Sequence, residues 1–346
     1  MIKFYQSFPQ LVPSDLLEYP IISYFQYRNQ GHLDDIPLTD ALIKKYSAYR
    51  NKPRTFFTTN NIILSELKCS SIDRRGVFHH RICHFPSFYT PLEPVSSESK
   101  FLPNSRVNIH QYIHKELLNK IQTKTAVLFI HGYAENTFKF HEYGYFPLFY
   151  RKFKADIYAI ELPYHFNRQP DDSPFSGSYF LNGNPIRMIE AVRQSVQEIV
   201  LLCQFLQYEY ESIIVFGVSL GGHLSALVSQ FIENVLLVCA LASPFLFSLD
   251  PKIVPLSRQN VIKLRFEKRL KWYKLLGICN LKYFPPTSTN KKTVIVGGKY
   301  DRIVPIKRVK DLATLLSKPL IIYNGGHLSM YFWLNSILNQ ISEMVL

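Results

Sequence analysis

The chain has 346 residues, with 40 Lys and Arg against 26 Asp and Glu and a formal net charge of +14 at pH 7. Hydrophobic residues make up 47% of it, which excludes an intrinsically disordered chain and gives room for one large domain with an extension. The basic excess suits acidic substrates or membrane surfaces; no recognition motif accompanies it, so no nucleic-acid partner is expected.

The first residues, Met1 to Pro9, lack the charged-then-apolar pattern of a signal peptide, and Pro9, Pro13 and Pro20 interrupt any early helix. No apolar run reaches the roughly 18 residues of a membrane span. Cys69, Cys83, Cys203, Cys239 and Cys279 lack short paired spacing, and Cys203 and Cys239 lie in apolar runs. That usage reads as reduced, structural cysteine in a cytoplasmic protein. Residues 1–76 read as an aromatic-rich N-terminal extension with a helix near Asp40–Arg50. Residues 77–346 then form the main domain.

Within it, 77–85 and 106–114 read as two antiparallel strands joined by a Pro- and Ser-rich loop. His79, His80, His84, His110 and His114 fall in these strands. Alternate positions share a face, so a solvated polar face is expected rather than a metal site. The apolar run 126–130 predicts a strand that ends at His131-Gly-Tyr133, and 156–161 predicts another. An insertion over 163–185, rich in Pro, Gly, Asn and aromatic residues, precedes a long amphipathic helix over 185–210. Its residues Ile189, Val192, Val196, Ile199 and Val200 recur at helical spacing.

The next strand, 212–217, runs directly into Gly217-Val-Ser219-Leu-Gly221 and then a helix-like stretch. A strand, Gly-x-Ser-x-Gly and a helix make the sequence form of a nucleophile elbow, in which a tight turn presents a serine hydroxyl above a sheet. Side chains two residues before and after that serine would collide, which favours glycine at both. Beyond it come a buried-type strand over 235–241 and a second insertion over 244–288. From Arg258 to Lys274 that insertion holds seven basic residues against one Glu, with Ile262, Phe266, Leu270 and Tyr273 on one helical stripe. Such a helix packs as a cap with a solvated basic face, or touches an anionic membrane surface through 258–274. The strand 293–296 opens into Gly297-Gly-Lys-Tyr-Asp301, and 319–323 leads into Asn324-Gly-Gly-His327. Asp301 and His327 thus follow strand ends, where the loops of a parallel sheet converge.

On these segments the chain resembles the α/β-hydrolase superfamily over about residues 106–346. Leu162-Pro-Tyr-His165 and Gly177-Ser-Tyr-Phe180 are similar to poorly characterised bacterial members. The resemblance implies an α/β fold with a mostly parallel eight-stranded sheet flanked by helices and capped by insertions. It also implies Ser219 as nucleophile, His327 as general base and Asp301 as the acid that orients it. The oxyanion donors it implies are the main-chain N–H groups of Leu220 and of Tyr133, with Ala134 as the alternative to Tyr133.

Rival acids are Asp250 and Glu161, and rival bases are His165 and His223, but none has both the strand-end position and the Gly-Gly turn of Asp301 and His327. His131 packs the strand end or borders the pocket. His165, Tyr164, Phe245, Tyr179 and Phe180 are candidate pocket walls or core. The chemistry expected is hydrolysis of a carboxylic ester, in a small-molecule or lipid-like substrate, through an acyl-enzyme and without cofactor or metal. The same residues would serve a peptidase, thioesterase or acyltransferase. A rival of another class is a hydrolase-like binding protein without turnover, or a peripheral membrane protein.

Overall fold

The apolar runs become the strands of one sheet. In the computed structural model the described residues are Glu18, Pro20, 39–58, 62–93, 99–116, 123–181, 184–246, Lys271, 274–284 and 292–345. Apart from Lys271 and Lys274, the basic stretch 258–274 lies outside them, as does Asp250. The strands are β1 (Lys68–Cys69), β2 (Asp73–Arg75), β3 (Phe78–Pro86), β4 (Arg106–His114), β5 (Thr125–Ile130), β6 (Asp156–Ile160), β7 (Ser212–Val218), β8 (Leu236–Ala240), β9 (Thr293–Gly298) and β10 (Leu320–Tyr323). Their order is β1-β3-β4-β6-β5-β7-β8-β9-β10, with β2 also paired to β3. From β6 to β10 all neighbours are parallel, while β4 meets β6 and β3 antiparallel. The sheet therefore has ten strands rather than eight. The additional pair, β1 and β2, is short, polar and largely exposed, so no hydrophobic period marks it.

Alternation along the central strands divides the core in two. On β5, Ala126, Leu128 and Ile130 face one apolar layer, and Val127 and Phe129 face the other. With both faces covered, a parallel strand can be apolar throughout, as these are. The first layer is closed by helices α1 (Asp40–Ser47), α2 (Pro53–Phe57) and α5 (Pro185–Glu209), which contribute Tyr46, Phe56, Phe57 and most of the apolar stripe of α5. The second is closed by α4 (Tyr145–Phe153) and by α7 (Met330–Val345), through Phe146, Phe149, Leu334 and Ile337; the short α3 (Lys139–Tyr143) precedes α4. Helix α5 starts where it does because Asn184 Oδ1 accepts the N–H groups of Ile186 and Arg187, both at 3.1 Å, and Pro185 occupies the first turn.

A buried ion pair ties the first insertion to this frame. Arg168 donates to both oxygens of Glu198 on α5 at 2.8 Å, and the same two terminal nitrogens also reach the Glu161 and Asn104 carbonyls, at 2.7 and 3.0 Å. Both side chains are fully buried. Removing either partner would strand the other charge in the interior, a loss of about 3–5 kcal/mol.

Two expectations are corrected here. The histidines of β3 and β4 do not make one solvated face: Phe138 and Phe166 pack against His110 and Tyr150 stacks on His114, while His79 and His84 are half-buried. His80, His110 and His114 are buried. His80 and His110 form a polar chain instead: Asp73 Oδ1 meets His80 Nδ1 at 2.8 Å, His80 Nε2 meets His110 Nδ1 at 3.0 Å, and His110 Nε2 meets Glu161 Oε1 at 3.0 Å. Nor are all cysteines reduced. Cys69 and Cys83 stand directly opposite across the β1–β3 pair and are joined by a disulfide, while Cys203, Cys239 and Cys279 are free and buried. Pairing across a ladder brings together residues whose spacing in sequence gives no sign of it, and the cysteine argument for a cytoplasmic chain goes with it. Alkylation of the unfolded, unreduced protein is expected to modify three cysteines, rising to five after reduction; five without reductant would disprove the bridge.

Candidate active site

A tight turn joins β7 to α6 (Leu220–Val228). Ser219 has φ 56° and ψ −112°, a backbone conformation costly for a residue with a side chain. Its N–H donates to the Ala240 carbonyl at 2.9 Å, and its own carbonyl accepts from His223 at 3.0 Å. The glycines permit the turn through space. A first side-chain carbon on Gly217 would lie 2.2 Å from the Gly221 carbonyl oxygen, and one on Gly221 would lie 2.1 Å from that of Ile130. Gly221 also donates to the His131 carbonyl at 3.1 Å, so the elbow is fastened to the end of β5.

The loop after β5 comes with it. A side-chain carbon on Gly132 would sit 3.6 Å from Ser219 Cβ. The loop is held by Glu135, whose Oε1 accepts the Gly132 N–H at 2.7 Å and whose Oε2 lies 2.5 Å from His141 Nε2. Burial alone would raise the Glu135 carboxyl, but the His141 ring and the Gly132 N–H outweigh it and hold the carboxyl below its ordinary value. Sequence reading missed Glu135; its only signal is a carboxylate three residues after the strand-end glycine. The Leu220 N–H opens helix α6, where the first amides have no partner within the helix. Tyr133 and Ala134 are half-buried, and Ala134 adopts φ 65°.

Asp301 and His327 meet at the ends of β9 and β10. His327 Nδ1 lies 2.7 Å from Asp301 Oδ2. Asp301 Oδ1 accepts the N–H groups of Ile303 at 2.8 Å and Val304 at 2.7 Å, so both oxygens are engaged and the carboxylate cannot swing away. Among the described residues no hydrogen bond joins Ser219 to His327. Such bonds are often long in unliganded enzymes and tighten on binding. Burial would depress the His327 ring, yet the Asp301 charge and hydrogen bond, together with Glu18, raise it above its ordinary 6.5. Glu18, also missed from sequence, accepts main-chain N–H groups from His327 and, at 2.9 Å, from Arg302.

The remaining candidates have other partners. Glu161 is fully buried and bonded to Asn108, His110 and Asn167, which removes it as the partner of His327. His131 is buried: its Nε2 accepts the Leu162 N–H at 3.1 Å, which leaves Nδ1 to donate to the Gly132 carbonyl at 2.7 Å. It links the ends of β5 and β6. His223 reaches the Ser243 carbonyl at 2.8 Å, and burial pushes its pKa down to about 4. His165 is wholly buried against His131 and Phe180, with Nδ1 2.8 Å from the Pro163 carbonyl; burial, then His131, hold it well below the usual imidazole range. Tyr164 packs edge-on to Phe101 inside the core, with Tyr179 and Phe180. Phe245 is half-buried, and its N–H donates to Ser243 Oγ at 3.2 Å. Among the described residues no group of metal-ligating side chains is assembled, and no helix is long and apolar enough to cross a membrane.

The strand order, the elbow turn and the crossover helices define the α/β-hydrolase fold. No protein-family model and no curated protein matches the chain. Among solved structures it is similar to an acetyl xylan esterase from Paenibacillus sp., with a TM-score of 0.60 at 14% identity over 94% of this chain and 99% of that one. Acetyl xylan esterase 1 from Thermoanaerobacterium sp. gives a TM-score of 0.55 at 16% identity, over 86% and 93% of the two chains. A peroxisomal α/β-hydrolase from Saccharomyces cerevisiae gives 0.50 at 14%, over 78% and 89%. What is shared at these identities is the fold.

Two outcomes follow from this geometry. Gly221→Ala is expected to destabilise the protein by about 3 kcal/mol or more, because backbone rather than a movable side chain blocks the new methyl. A denaturation midpoint equal to wild type would refute the close approach. The His327 ring, followed by NMR, should titrate above 6.5. A raised folded value means that the pair stabilises the fold fully below the unfolded histidine's value and loses that contribution as pH rises through the folded one. Asp301→Asn leaves burial dominant and should bring the midpoint below 6.5; an unmoved midpoint would separate the two residues electrostatically.

Proposed function

We propose that the chain is a serine hydrolase that cleaves a carboxylic ester. The observation that carries this reading is the backbone of Ser219. A strand-to-helix connection does not require φ 56° on a residue with a side chain, and strain of this kind collects at functional positions. Support comes from a histidine bonded to a fixed carboxylate at the carboxyl ends of neighbouring parallel strands, where ligands bind in open α/β sheets.

The mechanism follows from which atoms are already engaged. With Nδ1–H given to Asp301, the neutral His327 ring has Nε2 left to accept the Ser219 proton. The serine oxygen attacks the acyl carbon, and the developing oxyanion is met by the main-chain N–H groups of Leu220 and Tyr133. His327 then protonates the leaving alcohol, the carbon–oxygen bond breaks, and an acyl-Ser219 intermediate remains. Water, deprotonated by His327, releases the acid and restores the serine. No cofactor enters. Because the base must be neutral, kcat/KM rises with pH as His327 loses its proton, with the midpoint above 6.5.

The substrate is a small-molecule or lipid-like ester. Two structural neighbours are named acetyl xylan esterases, so acetyl esters head the panel to be tried. Thioester hydrolysis, peptide hydrolysis and acyl transfer would use the same three residues. The test is labelling by a fluorophosphonate together with hydrolysis of p-nitrophenyl esters of increasing acyl length. Wild type should label and turn over. Ser219→Ala should lose the label and about 10⁴-fold or more of the turnover. A folded wild-type protein that neither labels nor hydrolyses any ester would instead be a hydrolase-like binding protein.

A further inference from the structure

The strongest unassigned feature is a carboxylate that reaches the His327–Asp301 pair from the far end of the sequence. Glu18 is 1% exposed. Its Oε2 accepts the N–H of Arg302, one residue past Asp301, at 2.9 Å, and its Oε1 accepts the N–H of His327 itself. These two amides belong to different loops, one after β9 and one after β10. A single carboxylate therefore bridges the acid loop to the base loop through the main chain, 284 and 309 residues away in sequence. Few groups can do this. Glutamate offers an acceptor at both ends of one planar group, whereas glutamine would turn an N–H toward one of the two amide donors.

We propose that Glu18 is a positioning residue for the catalytic pair: it locks the Asp301 and His327 loops in register and sets a second carboxylate behind the histidine. The inference rests on the hydrolase reading for its catalytic meaning, but its geometry does not. Among the described residues, the charges that face His327 are Asp301 and Glu18; Glu18 in turn faces Asp301 and His327, and the buried Tyr323 hydroxyl lies in the field of both carboxylates. Tyr323 donates to the Gly326 carbonyl at 2.6 Å, so it fixes the turn before His327 rather than neutralising either acid. The direction of the electrostatic effect is then set. Glu18 favours the imidazolium, the form His327 takes while it holds the serine proton. Burial and the Asp301 charge raise the Glu18 carboxyl, while its two amide donors and His327 pull the other way, and burial prevails.

Glu18→Gln keeps the size of the side chain and removes the charge, and Glu18→Asp keeps the charge but is one methylene too short to span both amides. In the full-length protein, the His327 ring titration by NMR should shift down by about half a unit or more in Glu18→Gln. In Glu18→Asp it should shift less. Both variants should lose kcat by about 10-fold or more, with KM little changed, as misplacement of a catalytic group would produce. A purely structural contact would lower thermal stability in both and leave the titration where it is. An unmoved His327 midpoint in folded Glu18→Gln overturns the proposal. If Glu18→Gln fails to fold, a wild-type kcat in Glu18→Asp overturns it as well. Because the ring titration needs no turnover, a wild type without Ser219-dependent activity would defeat the hydrolase reading while leaving the positioning of His327 by Glu18 to be judged on its own.

Discussion

Everything at the candidate site depends on one close approach between main chains. Gly221 sits so near the carbonyls of Ile130 and His131 that no side chain fits, and Gly217 sits equally near Gly221. That contact fastens β7 to the end of β5, brings the 131–135 loop beside Ser219 and forces the serine into the left-handed region. Such a conformation persists only where its surroundings over-determine it. Here β5, β7 and β8 do so: their apolar residues are buried in the two core layers, and each strand is bonded on both edges. Parallel strands with both faces covered give the rigidity that a strained turn needs.

A second theme is how the fold handles buried charge. Arg168 and Glu198 pair through both oxygens of the carboxylate, and Arg168 also reaches two nearby carbonyls. Glu135 is answered by His141 and a glycine amide, Glu161 by His110 and two asparagines, and Asp301 by His327 and two amides. Each carboxylate thereby fixes a loop in place, and several of these loops lie at the carboxyl ends of the parallel strands. Burying a charge costs several kcal/mol unless it is paired, so once paired these groups become hinges that do not move. The ring of His327 illustrates the consequence: burial disfavours its charge, and two carboxylates reverse that.

The large elements are legible in the sequence because their signals are local. The eight long strands, the helix over 185–209 and the elbow each announce themselves by a period or a glycine spacing within a dozen residues. So do the strand-end positions of Asp301 and His327, which the fold then joins. Other features depended on partners far away. Alternating histidines in β3 and β4 read as a wet face because nothing nearby in sequence says that Phe138, Phe166 and Tyr150 cover His110 and His114. The Cys69–Cys83 bridge needs the β1–β3 register, and β1 is too short to leave a pattern.

By itself the sequence determined the eight long strands, the helix that follows the first insertion, the turn at Ser219 and the chemistry available at the strand ends, since hydrophobic period and side-chain size act over a few residues. Only the tertiary structure decided which carboxylate serves His327, that Glu161 is committed elsewhere, that His131 and His165 are closed into the interior, and that Glu18 crosses the molecule to both loops. The reason is physical: a hydrogen bond or an ion pair is set by distance in space, and it is the folded sheet that holds distant parts of the chain within that distance.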